Sequence, residues 1–182
     1  RDSTAMVEIL DKLTAHYSDQ LSRDAFDGVR VSLRRKKTAQ KNSAKSAMSQ
    51  AAKSLRKVRG NIQGWPKPGA SESIALGLKR VYKSGRTSFN DAYDKRTVET
   101  FHEWRKHVKH LLYQTRVLKP LWGGMMKALT AELEALGEFL SEHHDLAILR
   151  ERVASLLSES ENQVEIETLV ALIDQRQHEL EI

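Results

Sequence analysis

Apolar residues recur along this 182-residue chain at spacings of three and four, the period of helices buried on one face. Met6, Ile9, Leu10 and Leu13 mark a first helix over about 3–17. Ser18 and Ser22 are N-cap candidates for a second, running to about residue 41, and a third continues to about residue 61. The clearest break is IQGWPKPGASES, with two prolines and two glycines. Ser71 or Ser73 then caps a helix to about residue 93, and the next covers about 95–119, closed by Pro120. Three more are expected over about 125–142, 145–157 and 164–180. Around eight helices with mostly short connections predict an all-α protein of one or two helical bundles.

The segment FHEWRKHVKHLLYQTR, residues 101–116, departs from an ordinary amphipathic helix. At about 100° per residue, Phe101, Trp104, Val108, Leu111, Leu112 and Leu118 share an apolar sector. His102, Arg105, Lys106, Lys109, Tyr113 and Arg116 share another, roughly a quarter of the circle. Five cations or potential cations on one row repel one another unless something negative lies against them. Lys79, Lys83, Arg86 and Asn90 form a second basic row within about 60°, and Arg30, Arg34, Lys37 and Lys41, at the same spacing, a third within the same arc. A solvated face normally interleaves Glu with Lys, and none of these rows contains an acid. If the rows face one another across a bundle, they line a positive groove suited to an extended polyanion.

Charge along the whole chain sharpens that picture. The formal net charge of +6 conceals a gradient. Between Gly28 and Ser71 there are twelve Lys and Arg and no acid. From Ala131 onward thirteen Asp and Glu face three Lys and Arg, a net of −10. A basic lobe with an acidic flank implies an anionic partner, and nucleic acid, a phosphate polymer or an anionic membrane surface all satisfy the charge. With 40% hydrophobic residues, mostly Leu, Ala and Val, the chain has enough for a helical core. It contains no cysteine, so disulfides and thiolate metal sites are excluded, and a reducing, cytoplasmic setting is expected. No apolar run is long enough to span a bilayer, so no membrane insertion is expected.

Catalytic and metal chemistry find little support. There is no nucleophile elbow and no Gly-rich phosphate loop. His107 and His110 lie three apart, and His143-His144-Asp145 is a compact polar cluster, yet carboxylates are sparse near the first pair and no HExxH pattern exists. An anion-contacting or satisfied polar histidine is preferred to a metal ligand, His102 above all. A histidine on such a row adds positive charge as the pH falls below about 6.5. No metal and no cofactor are expected, and the chain is read as a non-enzyme. A weak internal echo also exists. Arg1-Asp2 leads into STAMVEILDKL much as His144-Asp145 leads into LAILRERVASLL, suggesting two related halves.

These residues together resemble a known family. HEWRKHVKHLLYQTRVL is similar to the signature helix of the CHAD domain, the conserved histidine α-helical domain. HHDLAILRERV resembles its second hallmark, and GLKRVYKSGR resembles the pattern preceding the signature helix. The resemblance implies two pseudo-symmetric antiparallel helical bundles around a basic central channel or groove. It implies binding of inorganic polyphosphate, association with polyphosphate granules in some members, and work beside triphosphate-processing enzymes in others. Carried over, His102, Arg105, Lys106, Lys109 and Tyr113 take the signature positions, with His144 and Asp145 in the second hallmark. His110 and Leu112 stand where the family usually has further basic residues. The first half is expected to be incomplete, its own His-containing helix missing, which exposes apolar surface that invites self-association.

The expectation is therefore a single domain over 1–182, with approximate halves 1–64 and 70–182. It binds polyphosphate without catalysis through His102, Arg105, Lys106, Lys109, Tyr113, Arg116, Lys79, Lys83, Arg86, Arg30, Arg34, Lys37 and His144. A nucleic-acid-binding helical protein is the first alternative. It shares the charge but lacks a clear recognition helix and, on the sequence, the interleaved aromatics of single-strand binders. An accessory subunit of a triphosphate- or polyphosphate-processing enzyme is the second.

Overall fold

The computed structural model describes residues 3–22, 24–35, 41–62, 70–120, 123–156 and 163–181. Those residues form seven helices and no strand: α1 (Ser3–His16), α2 (Asp27–Arg35), α3 (Lys41–Ile62), α4 (Ala70–Lys95), α5 (Val98–Leu118), α6 (Gly123–Ala154) and α7 (Gln163–Leu180). The protein is all-α. The chain divides into two compact units, Arg1–Ala70 and Ser71–Ile182. No described helix is long and apolar enough to cross a membrane.

In the first unit α1 packs against α2. Met6, Val7, Ile9, Leu10 and Leu13 are buried along α1, as are Val29 and Leu33 along α2. The second helix begins at Asp27, later than Ser18 or Ser22 would set it. The reason lies at Phe26, buried at 5% exposure with φ 66. A left-handed backbone at a bulky aromatic residue interrupts any helix and is tolerated only where the surroundings hold it. The side chains of 48–61 in α3 are exposed, Met48, Leu55 and Val58 included.

In the second unit α6 is the spine. It runs 32 residues, with α5 packed on it and α7 packed on it. The break expected between helices over about 125–142 and 145–157 does not occur. The buried row Leu140, His143, Leu146, Leu149 and Val153 carries the helix straight through it. His143 occupies an apolar position by stacking its ring on Phe101, centroids 4.4 Å apart. Its Nε2 lies 3.1 Å from Glu181 Oε1, and its carbonyl accepts a 3.2 Å hydrogen bond from Gln177 Nε2 in α7. Toward the C-terminus Leu146, Leu149 and Val153 of α6 and Ile166, Leu169 and Ile173 of α7 are buried. Two ion pairs border this interface, Arg150 with Asp174 and Arg176 with Glu142.

Candidate anion-binding site

The start of α5 is fixed locally. Arg96, with φ 47, turns the chain out of α4. Thr97 then caps α5 through a capping box: its Oγ1 accepts from Thr100 N at 3.3 Å, and its own N donates to Thr100 Oγ1 at 3.2 Å. Phe101, Val108, Leu112, Thr115 and Leu118 are the buried face of α5, and Met126, Thr130, Leu133, Gly137, Leu140 and His143 belong to that of α6. Thr130 donates to Thr115 Oγ1 at 3.3 Å inside this contact. The two helices thereby form a hairpin whose edge carries the charged row.

The structure brings both sequence hallmarks together on that edge. His102 of α5 and His144 of α6 meet with ring centroids 4.7 Å apart and planes 37° from parallel. Next to them, Phe101 stacks on His143. His102 Nδ1 is buried and has no hydrogen-bond partner among the described residues. Arg105 reaches across to α6, where its Nε donates to Ser141 Oγ at 3.1 Å. Ser141 Oγ donates in turn to the Gly137 carbonyl at 2.6 Å, so its lone pairs are aimed at Arg105. The contact through Nε orients the guanidinium while leaving the two terminal nitrogens of its fork, the pair suited to phosphate oxygens. Ser141 was not singled out from the sequence. Its signal was there: it lies three residues before His144, on the same face of α6.

Farther along the row, Lys106 and Arg116 correct the acid-free reading. Lys106 Nζ donates to Glu103 Oε1 at 2.8 Å, and Arg116 donates to Glu134 Oε1 on α6 at 2.6 Å. The hydrogen bond from Lys106 holds the Glu103 carboxyl below its ordinary range, with smaller help from the charges of Lys106, His102 and His107. All four side chains are about half exposed. Such pairs are weak and screened by salt, so a phosphate group can exchange with either carboxylate. Lys109 is half-buried, and Tyr113 is exposed with its hydroxyl on the same row.

The other two rows are placed differently. α4 meets α5 through Phe89, whose ring lies 5.0 Å from that of Trp104, and near Gly85, where an added Cβ would lie 3.7 Å from His107 Cβ. Ala92 joins the same core cluster as Phe101 and Val108. Lys79, Lys83 and Arg86 are exposed, about a third to a half of a turn round α4 from Gly85 and Ala92, with Phe89 between the two groups. On α5, the basic row lies about half a turn from Trp104 and His107.

Arg30, expected on an anion-binding row, is engaged internally. Its guanidinium donates to Asp11 Oδ1 at 2.8 Å, Asp27 Oδ1 at 2.9 Å, the Ala25 carbonyl at 2.6 Å and Thr14 Oγ1 at 3.2 Å. Burial disfavours its charge, but the hydrogen bonds to Asp11 and Asp27 outweigh that and raise its pKa. It ties α1 to α2. Replacing it, Arg30→Ala, is expected to lower stability by about 1–3 kcal/mol and to leave anion affinity unchanged. Urea unfolding and a binding titration on the same preparation check this. Arg34 is exposed on α2, and Lys37 lies outside the described residues.

Among the described residues no group of three His, Asp, Glu or Cys is placed to hold a metal ion. The edge of the α5–α6 hairpin carries a row of cationic and neutral donors, two of them paired with the half-exposed carboxylates of Glu103 and Glu134. No curated protein and no solved structure matches the chain. The family model for the CHAD domain matches residues 1–154, a span that contains both hallmark segments and leaves α7 outside it. The chain belongs to the CHAD domain family.

Proposed function

We propose that this protein is a non-catalytic binding module for inorganic polyphosphate. The observation that carries the reading is the meeting of His102, Arg105 and His144 at one end of a row continued by Lys106, Lys109, Tyr113 and Arg116. Membership of a family that binds polyphosphate-related ligands supports the choice of polymer. Binding is ionic and independent of sequence, so it weakens steeply with salt. Arg105, oriented by Ser141, makes the forked contact. Lys106 and Arg116 exchange their carboxylate partners for phosphate. Tyr113 donates a hydrogen bond to a phosphate oxygen. A cytoplasmic site of action, associated with polyphosphate granules, is part of the same proposal.

The test is a competition titration of long-chain polyphosphate against duplex and single-stranded nucleic acid at matched salt. Polyphosphate is expected to bind the edge of the α5–α6 hairpin more tightly than either. Nucleic acid winning at that edge contradicts the reading. Release of phosphate from polyphosphate or triphosphate in the presence of Mg²⁺ or Mn²⁺ contradicts its non-catalytic part. A finer check uses Glu103. Glu103→Gln removes the competing carboxylate beside Lys106, so polyphosphate affinity is expected to rise about threefold at low salt. A fall in affinity on this substitution would mean that the pair positions Lys106 instead of competing for it.

A further inference from the structure

Polyphosphate needs cations, and one face of α4 offers more than cations. Tyr82, Phe89 and Tyr93 are exposed there, at 55%, 43% and 63%. At about 100° per residue the three rings fall within about 40° of one another. Arg86 lies in the same sector, with Lys79 and Lys83 immediately beside it. From Ser73 to Asn90 there is no acidic residue, and the acids that follow, Asp91 and Asp94, include one already paired with Lys95 at 2.9 Å. Aromatics and cations therefore alternate along a single face. The spacing of seven and four residues is helical, but the exposure of the rings depends on which side of α4 packs against α5.

Two of the three rings are also held in place. Phe89 sits edge-on to Trp104 of α5 at 5.0 Å. Tyr93 lies 6.2 Å from Phe89, tilted 37° to it, and the Arg96 guanidinium stands 5.8 Å over its ring. Exposed aromatics in water normally move between rotamers. Phe89 and Tyr93, held by packing on α5 and by a cation in the α4–α5 turn, have lost part of that freedom before any ligand arrives.

We propose that this face of α4 is a binding site for single-stranded nucleic acid. Bases stack on Tyr82, Phe89 and Tyr93, while Lys79, Lys83 and Arg86 contact the phosphates. Charge complementarity requires an anion, and three exposed rings among the cations call for one with π-faces; duplex nucleic acid hides those faces within its own stack. From Tyr82 to Tyr93 the helix rises about 16 Å, which spans about five nucleotides at a stacked spacing of about 3.4 Å. The site is separate from the hairpin edge and stands independently of the polyphosphate reading.

The test measures anisotropy of fluorescent oligothymidylate and oligouridylate with the full chain at fixed low salt. Tyr82→Ala combined with Tyr93→Ala is expected to lower oligonucleotide affinity at least about tenfold, while polyphosphate affinity and helicity stay as in the parent. Lys83→Gln with Arg86→Gln, which leaves the rings in place, is expected to weaken binding and flatten its salt dependence. At about 0.15 M salt, where charges more than about 8 Å apart are largely screened, Lys106→Glu with Lys109→Glu is expected to change oligonucleotide affinity less than about threefold, since these residues lie on the other helix. Unchanged oligonucleotide affinity in the tyrosine variant overturns the proposal. So does a loss produced by the α5 variant in its place, which would put the strand on the hairpin edge. Dissociation of a dimer by the tyrosine variant, with oligonucleotide affinity intact, would assign the face to a second copy of the chain and overturn it too.

Discussion

Reversing two charges on α5, Lys106→Glu with Lys109→Glu, is expected to lower polyphosphate affinity by about 100-fold at low salt. Both lysines lie on the row that His102 and Arg105 begin and Arg116 ends, so an extended anion that follows the row passes both. Reversal removes two ionic contacts and sets two carboxylates in the path of the phosphates. Position 106 suffers further, because the new carboxylate faces Glu103 across one turn with no cation left between them. Both positions lie outside the buried face of α5, so helicity by circular dichroism should be unchanged. The difference between variant and parent should shrink as salt rises, since screening removes the term that the substitution alters. Parent-like affinity at low salt would remove this helix from the site.

The second large effect is structural. Leu149 of α6 is fully buried, as are Leu169 and Ile173 of α7. Leu149→Ala is expected to cost about 2–5 kcal/mol, from lost transfer energy and from the cavity that remains. For a chain of this size that is a fall in melting temperature of roughly 5–15 °C. The loss should reach the site as well. α7 holds the hallmark segment of α6 through Arg176 on Glu142, Gln177 on the His143 carbonyl and Glu181 on the His143 ring. Loosening α7 frees His143, the neighbour of His144, and polyphosphate affinity should fall at temperatures where the helices still persist. Thermal melts followed by near- and far-ultraviolet circular dichroism, with binding measured at two temperatures, separate the effects. A melting temperature within about 2 °C of the parent would mean that the α6–α7 contact is not the core it is taken to be.

How far the sequence revealed these features differs from residue to residue. The α5 row was legible because a helix of known period places 102, 105, 109 and 116 together whatever surrounds it. The partnership of His102 with His144 needed the hairpin. Forty-two residues separate the two rings, and only a recognised family pattern linked them. The unbroken course of α6 differs from the two helices expected over about 125–142 and 145–157. Its true signal is the apolar row on either side, which His143 continues by stacking on Phe101. Glu103 stands three residues from Lys106 and could have been paired from spacing alone. Glu134 belongs to another helix, and its approach to Arg116 was not in the pattern. Arg30 misled for a similar reason. Its place on a basic row was visible, but its partner Asp11 lies nineteen residues away on α1. The α4 rings were present in the sequence at helical spacing, and only the packing of α4 against α5 showed them to be exposed.

The central claim is that the edge of the α5–α6 hairpin binds polyphosphate. The measurement that bears on it most directly is a titration of isotope-labelled protein with polyphosphate, followed residue by residue through amide chemical shifts. Saturable shifts concentrated at 102–116 and 141–144 are the predicted result, with residues 164–180 of α7 moving little apart from those that touch His143. Shifts confined to α3 or α4, with the hairpin edge silent at saturation, would contradict the account.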